Sequence, residues 1–172
     1  MDDFESIPAT REHRSVFRNL MHLYLYDFSE YIDEDANDDG FFEDEHLDKY
    51  WVEPTRYPFL LKVGGKWAGF VLVREIDPAW LKKLGLEGQG GEKTYSIAEF
   101  FVMRKYRRRN VGKRLAFAMF DRFRGRWWVS QEVANIPAQQ FWLRIIDEYT
   151  GGNFEDFIEP HEKRPTQLFR SA

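Results

Sequence analysis

One stretch of the sequence restricts the fold more than any other. Residues Tyr95 to Met103 (Tyr-Ser-Ile-Ala-Glu-Phe-Phe-Val-Met) are apolar and aromatic almost throughout and read as a strand. They run straight into Arg104-Lys-Tyr-Arg-Arg-Arg-Asn-Val-Gly-Lys-Arg. That turn opens a helical pattern to about Phe123, in which Val111, Leu115, Met119 and Phe123 recur at steps of four. A strand, a cationic turn and a helix in direct succession set the unpaired N–H groups and the positive dipole end of a helix beside arginines and lysines. Such a place holds a phosphate. It is not a P-loop, because the paired glycines and the Lys-Ser/Thr ending are missing.

The rest of the chain supplies a layout for that turn. Residues 1–9 read as a loose start. Thr10 caps a helix predicted to reach about Tyr31, with Val16, Phe17, Leu20, Tyr24 and Phe28 on one apolar face. Tyr26 and Asp27 lie off that stripe, facing either a cleft or solvent. Residues 32–48 form an acidic island that includes Asp38, Asp39, Glu43, Asp44, Glu45 and Asp48, followed by a short helix around Leu47, Tyr50 and Trp51. The spacing Asp33-x-Asp35-x-Asn37-x-Asp39-Gly40 has a calcium-loop look. A calcium loop needs a glutamate six residues past the glycine, where this chain has His46, with Glu45 one position early. The island is therefore a solvated loop or an acidic rim that draws in a cation. Phe59–Val63, the Gly64-Gly65 turn and Lys66–Val73 spell a hairpin. Residues 76–94, with Gly85, Gly88, Gly90 and Gly91, read as a connection carrying one helical turn at Trp80–Leu84. Arg126–Val133 is the next predicted strand. Pro137 opens a helix whose apolar face is Ala138, Phe141, Trp142, Ile145 and Ile146. Asn153–Ile158 and Thr166–Phe169 pair as a final hairpin. The sum is an α/β layout with a mixed sheet.

Composition narrows the function. A chain of 172 residues, 43% hydrophobic and 17% aromatic, is large and apolar enough for one folded domain spanning 1–172. It has no cysteine, which rules out disulfides, thiolate metal sites and a cysteine nucleophile. The histidines His13, His22, His46 and His161 lack ligand spacing, so no metal is expected. The first twenty residues lack an apolar core and no run is long enough to span a bilayer, which points to a cytoplasmic protein away from membranes. The net charge is −4, so the arginine cluster is a local feature and general nucleic-acid binding is disfavoured.

Arg107-Arg108-Arg109-Asn110-Val111-Gly112 resembles the Arg/Gln-x-x-Gly-x-Gly/Ala signature of the GNAT superfamily of N-acetyltransferases. Arg107 matches its first position and Gly112 its last. Asn110 stands for the first glycine, and Asn tolerates a positive φ better than most residues. Phe100–Met103 is similar to the family's central strand, and the likeness continues through Asn135-x-x-Ala138-x-x-Phe141-Trp142, covering Tyr95 to Tyr149. The resemblance implies a mixed, largely antiparallel sheet flanked by helices and splayed at the cofactor site. It implies acetyl-CoA as co-substrate and direct attack by a primary amine in a ternary complex. On this likeness Arg107, Arg108, Arg109, Asn110, Val111, Gly112, Lys113 and Arg114 hold the pyrophosphate and 3′-phosphate region. The backbone of Phe101, Val102 and Met103 holds the pantetheine arm and is placed to donate to the oxyanion. Asn135 and Trp142 complete the cofactor-binding set, although Asn135 also reads as a helix cap. Trp142 departs from the family, many of whose members have a tyrosine there to protonate the leaving thiolate. An indole N–H is no substitute. Tyr149, Tyr106, water or no acid at all remain for that role.

An amine must be neutral to attack, so a base is needed. Glu99, a carboxylate inside an apolar strand, is the candidate, since such a group is costly unless paired or useful. It alternatively sits at the solvated end of the strand or pairs with an arginine of the turn. The acidic island suggests a cationic acceptor, such as an aminoglycoside, a polyamine, a lysine or a protein N-terminus. Two rival readings stand beside the enzyme: a non-catalytic acyl-CoA-binding regulatory domain of the same fold, and a basic-loop nucleic-acid binder. Family members are often homodimers.

Overall fold

The structure is a computed structural model that describes residues 3–86 and 91–171. Along the chain run β1 (Phe4–Pro8), α1 (Arg14–Phe28), β2 (Arg56–Val63), β3 (Lys66–Glu75), α2 (Pro78–Lys83), β4 (Thr94–Val102), α3 (Val111–Arg122), β5 (Gly125–Ser130), α4 (Ile136–Thr150), β6 (Phe154–Ile158) and β7 (Pro165–Ser171). The strands form one open, mixed, mostly antiparallel sheet in the order β1-β2-β3-β4-β5-β7-β6, flanked by helices. Gly64 and Gly65, both left-handed at φ +57° and +70°, turn β2 into β3. Met103 N–H donates to Ala68 O and Ile76 N–H to Thr94 O, each at 2.8 Å, so β3 and β4 run antiparallel. β4 and β5, joined through α3, pair in parallel from Thr94–Ser96 to Arg126–Trp128. β4 continues to Val102 and β5 to Ser130, so the ladder is shorter than either strand.

The chain packs as two units. The first holds Met1–Leu72 and Ala98–Leu115, the second Val73–Ile97 and Ala116–Ala172. In the first, Phe17, Leu20, Met21 and Tyr24 of α1 pack on Leu60, Phe70, Leu72 and Phe101 of the sheet. Phe17, Leu20 and Tyr24 belong to the stripe that the helical spacing of α1 marks out, Val16 and Phe28 flank it half-buried, and Met21 joins it. In the second, Phe120 meets Trp127 and Phe169 edge-on at 4.9 Å each, and Ile145 and Ile146 of α4 are fully buried. Among the described residues no helix is long and apolar enough to cross a membrane.

Three expectations shift. Within the predicted loose start, Phe4–Pro8 forms an edge strand that pairs antiparallel with β2, Phe4 opposite Val63 and Pro8 opposite Phe59. A five-residue edge strand takes its order from the backbone of its neighbour, so its own side-chain pattern is weak. α1 stops at Phe28, short of Tyr31, where Ser29 N–H closes onto Leu25 O. β5 stops at Ser130, short of Val133: Gln131 N–H still donates to Pro165 O in the register of the β5–β7 ladder, but proline has no N–H to return, and Val133 is exposed. The predicted turn at Trp80–Leu84 is α2, capped by Asp77, whose side chain accepts from Ala79 N–H. Gly88 and Gly90 of the expected connection lie outside the described residues.

Candidate active site

β4 delivers the chain to the cationic turn. Met103 N–H is held by Ala68 O, and a 3₁₀ turn follows over Arg104–Tyr106. Tyr106 and Val111 are buried and anchor the turn from within. Between them the chain from Arg107 to Asn110 lies at the surface. Asn110 adopts φ +58°, the left-handed conformation that the glycine of the signature would take. Arg108 adopts φ +60° as well. Arginine has no local preference for that region, so it carries a steric cost of about 1–2 kcal/mol. Strain of this kind gathers where a loop must keep one shape for a ligand. The first bond of α3 runs from Arg114 N–H to Asn110 O at 3.0 Å. Val111 and Gly112 precede it, so helix geometry leaves their N–H groups without an intrahelical acceptor, at the positive end of the dipole.

The arginines of the turn divide into two sets. Arg107 points back into the protein. Its Nε donates to Val102 O at 2.7 Å, its Nη to Asp27, and its guanidinium lies 5.9 Å from the Phe101 ring. Arg104 pairs with the same Asp27. Asp27, off the apolar stripe of α1, thus engages the turn rather than solvent, and its side chain is only 19% exposed. Burial alone raises its pKa, but hydrogen bonds from Arg107 and Arg104, with their charges, hold the carboxyl below its ordinary value. Arg114 stacks on the Phe4 ring at 4.3 Å. Arg108 and Arg109 project outward.

The strand pleat sorts the backbone donors. Since Met103 N–H faces β3, alternation turns Phe101 N–H the same way and Val102 N–H to the opposite edge. Val102 O on that edge is taken by Arg107.

Glu99 is half-buried on β4, and its Oε2 accepts a 2.5 Å hydrogen bond from the Tyr24 hydroxyl of α1. Asn135 caps α4, its side chain accepting from Ala138 N–H at 3.0 Å. Trp142 is buried in the second unit beside Phe141 and Phe120. Tyr149 donates to Asp121 at 2.8 Å, and burial together with that carboxylate pushes its pKa up to about 12. Tyr106 is buried under Lys105.

The acidic island is partly neutralised from within. A groove of about 700 Å³ runs along the first turns of α1, lined in part by Arg14, Arg18, Phe42, Glu43, Glu45 and Asp48. Arg14 pairs with Asp48 at 2.6 Å and Arg18 with Glu43. Asn37, a would-be calcium ligand, spends its side-chain oxygen on the N–H groups of Asp39 and Phe41. Among the described residues no group of three acidic or histidine side chains is placed to hold a metal. Tyr24 and Arg104 have roles that no local pattern signals. Tyr24 sits within an apolar stripe and Arg104 within a run of like charges.

A strand, a turn with two left-handed residues and a helix start carrying cations make a framework whose chemistry suits an anion. The chain belongs to the acetyltransferase (GNAT) family, whose sequence model matches residues 17–146. No curated protein matches the sequence. Solved structures share the fold. An acetyltransferase from Thermus thermophilus is 18% identical with a TM-score of 0.63, over 97% of this chain and 96% of that one. Spermidine N-acetyltransferase from Vibrio cholerae, solved with CoA and spermine, is 12% identical with a TM-score of 0.62, over 98% and 95%. An aminoglycoside acetyltransferase from an uncultured soil metagenomic sample, solved with sisomicin, is 15% identical with a TM-score of 0.59, over 83% and 86%.

Proposed function

We propose that this chain is an acetyl-CoA-dependent N-acetyltransferase that works as one catalytic domain and acts on a primary, cationic amine. The observation that carries the reading is the turn from Arg107 to Gly112. Its backbone is bent by left-handed Arg108 and Asn110 so that the start of α3 and the outward cations share one place. Those residues fit a pyrophosphate: two N–H groups at a helix start, positive dipole, and exposed Arg108 and Arg109. Arg107 acts differently from its neighbours. It braces the end of β4 against α1, and so sets the shape of the loop.

Bound acetyl-CoA supplies the acyl thioester. Around it, Arg108, Arg109, Lys113 and the N–H groups of Val111 and Gly112 hold the phosphates. Val102 N–H faces the edge of β4 that serves the pantetheine arm, with Asn135 and Trp142 further along the chain. Glu99 takes the proton from the incoming ammonium, directly or through water, so that the amine has its lone pair. A thiolate is a good enough leaving group to depart without a dedicated acid. That fits a site where Trp142 replaces tyrosine and the raised pKa of Tyr149 makes it a poor donor. The acceptor class rests on the acidic loop and on the polyamine and aminoglycoside enzymes among the structural neighbours. The family match runs through both packing units, which supports a single working domain.

The buried Trp142 also favours a second reading, a CoA-binding domain without turnover. A thermal-shift titration with acetyl-CoA, CoA and a plain adenine nucleotide, followed by an amine panel, tests both. The expected result is stabilisation by acetyl-CoA and CoA well above the nucleotide, lost in Arg108→Ala/Arg109→Ala, with release of free thiol on adding a polyamine. Stabilisation without thiol release on any amine leaves the binding domain. No stabilisation at millimolar acetyl-CoA ends both.

A further inference from the structure

We infer that Tyr24 is a positioning residue for Glu99, fixing the orientation of its carboxylate and holding it ionised; the inference rests on the reading of Glu99 as the base. Tyr24 occupies a position in α1 that packing alone would give to phenylalanine. Its ring stacks on Phe28 at 5.2 Å, meets Phe70 edge-on at 5.7 Å and lies 5.8 Å from Phe101. The residue is 9% exposed. Carrying a hydroxyl into such surroundings costs free energy unless the hydroxyl is bonded. It is bonded to Glu99 Oε2 at 2.5 Å.

The two residues stand far apart in sequence and meet because α1 packs on the sheet through Phe17, Leu20 and Tyr24. The packing fixes the phenol, and the phenol fixes the carboxylate. The Tyr24 hydroxyl donates in this bond, so Glu99 and not Tyr24 is the group left to act as the base. A donated hydrogen bond favours the carboxylate over the carboxylic acid, the form that can accept a proton from an ammonium. Among the described residues of the core cluster that surrounds Tyr24, the other titratable side chain is Tyr50. One turn further along α1 the charges of Asp27, Arg104 and Arg107 are paired with one another.

Tyr24→Phe keeps the ring and removes only the hydroxyl. The full chain labelled with carboxyl-¹³C glutamate is titrated by NMR, and the Glu99 resonance is assigned by its loss in Glu99→Gln. The expected result is a Glu99 midpoint at higher pH in Tyr24→Phe. With spermine as the amine probe, kcat falls about tenfold, the acid limb of the pH profile moves up with the midpoint, and KM for acetyl-CoA is unchanged. An unmoved Glu99 midpoint overturns the role of Tyr24, whether or not spermine is turned over. Full activity of Glu99→Gln removes the base assignment itself, and the purpose of Tyr24 with it. Loss of the acid limb in Glu99→Gln beside an unshifted Tyr24→Phe profile removes Tyr24 alone.

Discussion

Asp27 sits in the last turn of α1, the end of a helix where the dipole disfavours a negative charge. Two guanidinium groups reverse that preference, and the carboxyl is held below its ordinary pKa. A group that ionises more readily folded than unfolded stabilises the fold fully above its unfolded value, near pH 4. The contribution is lost as pH falls through the lower folded value. Asp27→Asn is therefore expected to lower stability by about 1–3 kcal/mol at pH 7, with the gap closing in strong acid. Urea midpoints of both proteins at pH 7, 5 and 3 measure it, and a gap that persists undiminished at pH 3 refutes it. Residue chemistry was legible where it is local. The left-handed Asn110 follows from its side chain, and so does the cap at Asn135. Arg108 in the same conformation does not, because nothing in an arginine side chain favours it. The partners of Asp27 and Glu99 were out of reach for a different reason: each contact joins residues that only packing brings together.

At the scale of elements, the approach of β3 to β4 depends on Gly69. A Cβ built there would lie 2.0 Å from Phe101 O, a backbone atom that cannot swing aside. Gly69→Ala must push the strands apart just where Met103 N–H meets Ala68 O and where β4 leads into the cationic turn. The expected cost is at least about 1–3 kcal/mol, with weaker CoA binding as the turn shifts. Chemical denaturation and a CoA titration of the variant read the two effects, and wild-type values in both would refute the strand-contact argument. Strong periodicity made the interior elements legible. The stripe of α1, the Gly64-Gly65 hairpin, α3 and α4 all appear near their predicted places. β1 was missed because an edge strand needs its neighbour's backbone more than its own pattern. The end of β5 was missed because its partner there, Pro165, is distant in sequence and has no N–H to return to the ladder.

At the scale of the whole molecule, a cationic turn sits on a chain of net charge −4. The anion binding proposed at the exposed Arg108 and Arg109 is open to screening, whereas the half-buried pairing of Arg107 with Asp27 is more protected. The thermal stabilisation by CoA is expected to shrink markedly between about 50 mM and 500 mM salt, while the unliganded melting temperature changes little. Parallel melts across a salt series measure both, and a salt-independent CoA shift would remove the exposed arginines from the site.

The sequence by itself determined the α/β class, the strand–turn–helix that marks the family, and the cationic helix start at which anion binding is proposed. Those properties depend on neighbours within a few residues: alternation, helical spacing, and cations clustered at a helix start. Tertiary structure decided which arginine braces and which projects, that Asp27 serves the turn, and that Glu99 answers to Tyr24. It also decided that carboxylates of the acidic island are neutralised by α1. Each of these is a meeting of side chains from distant segments, set by how apolar faces close on one another, and no local pattern encodes it.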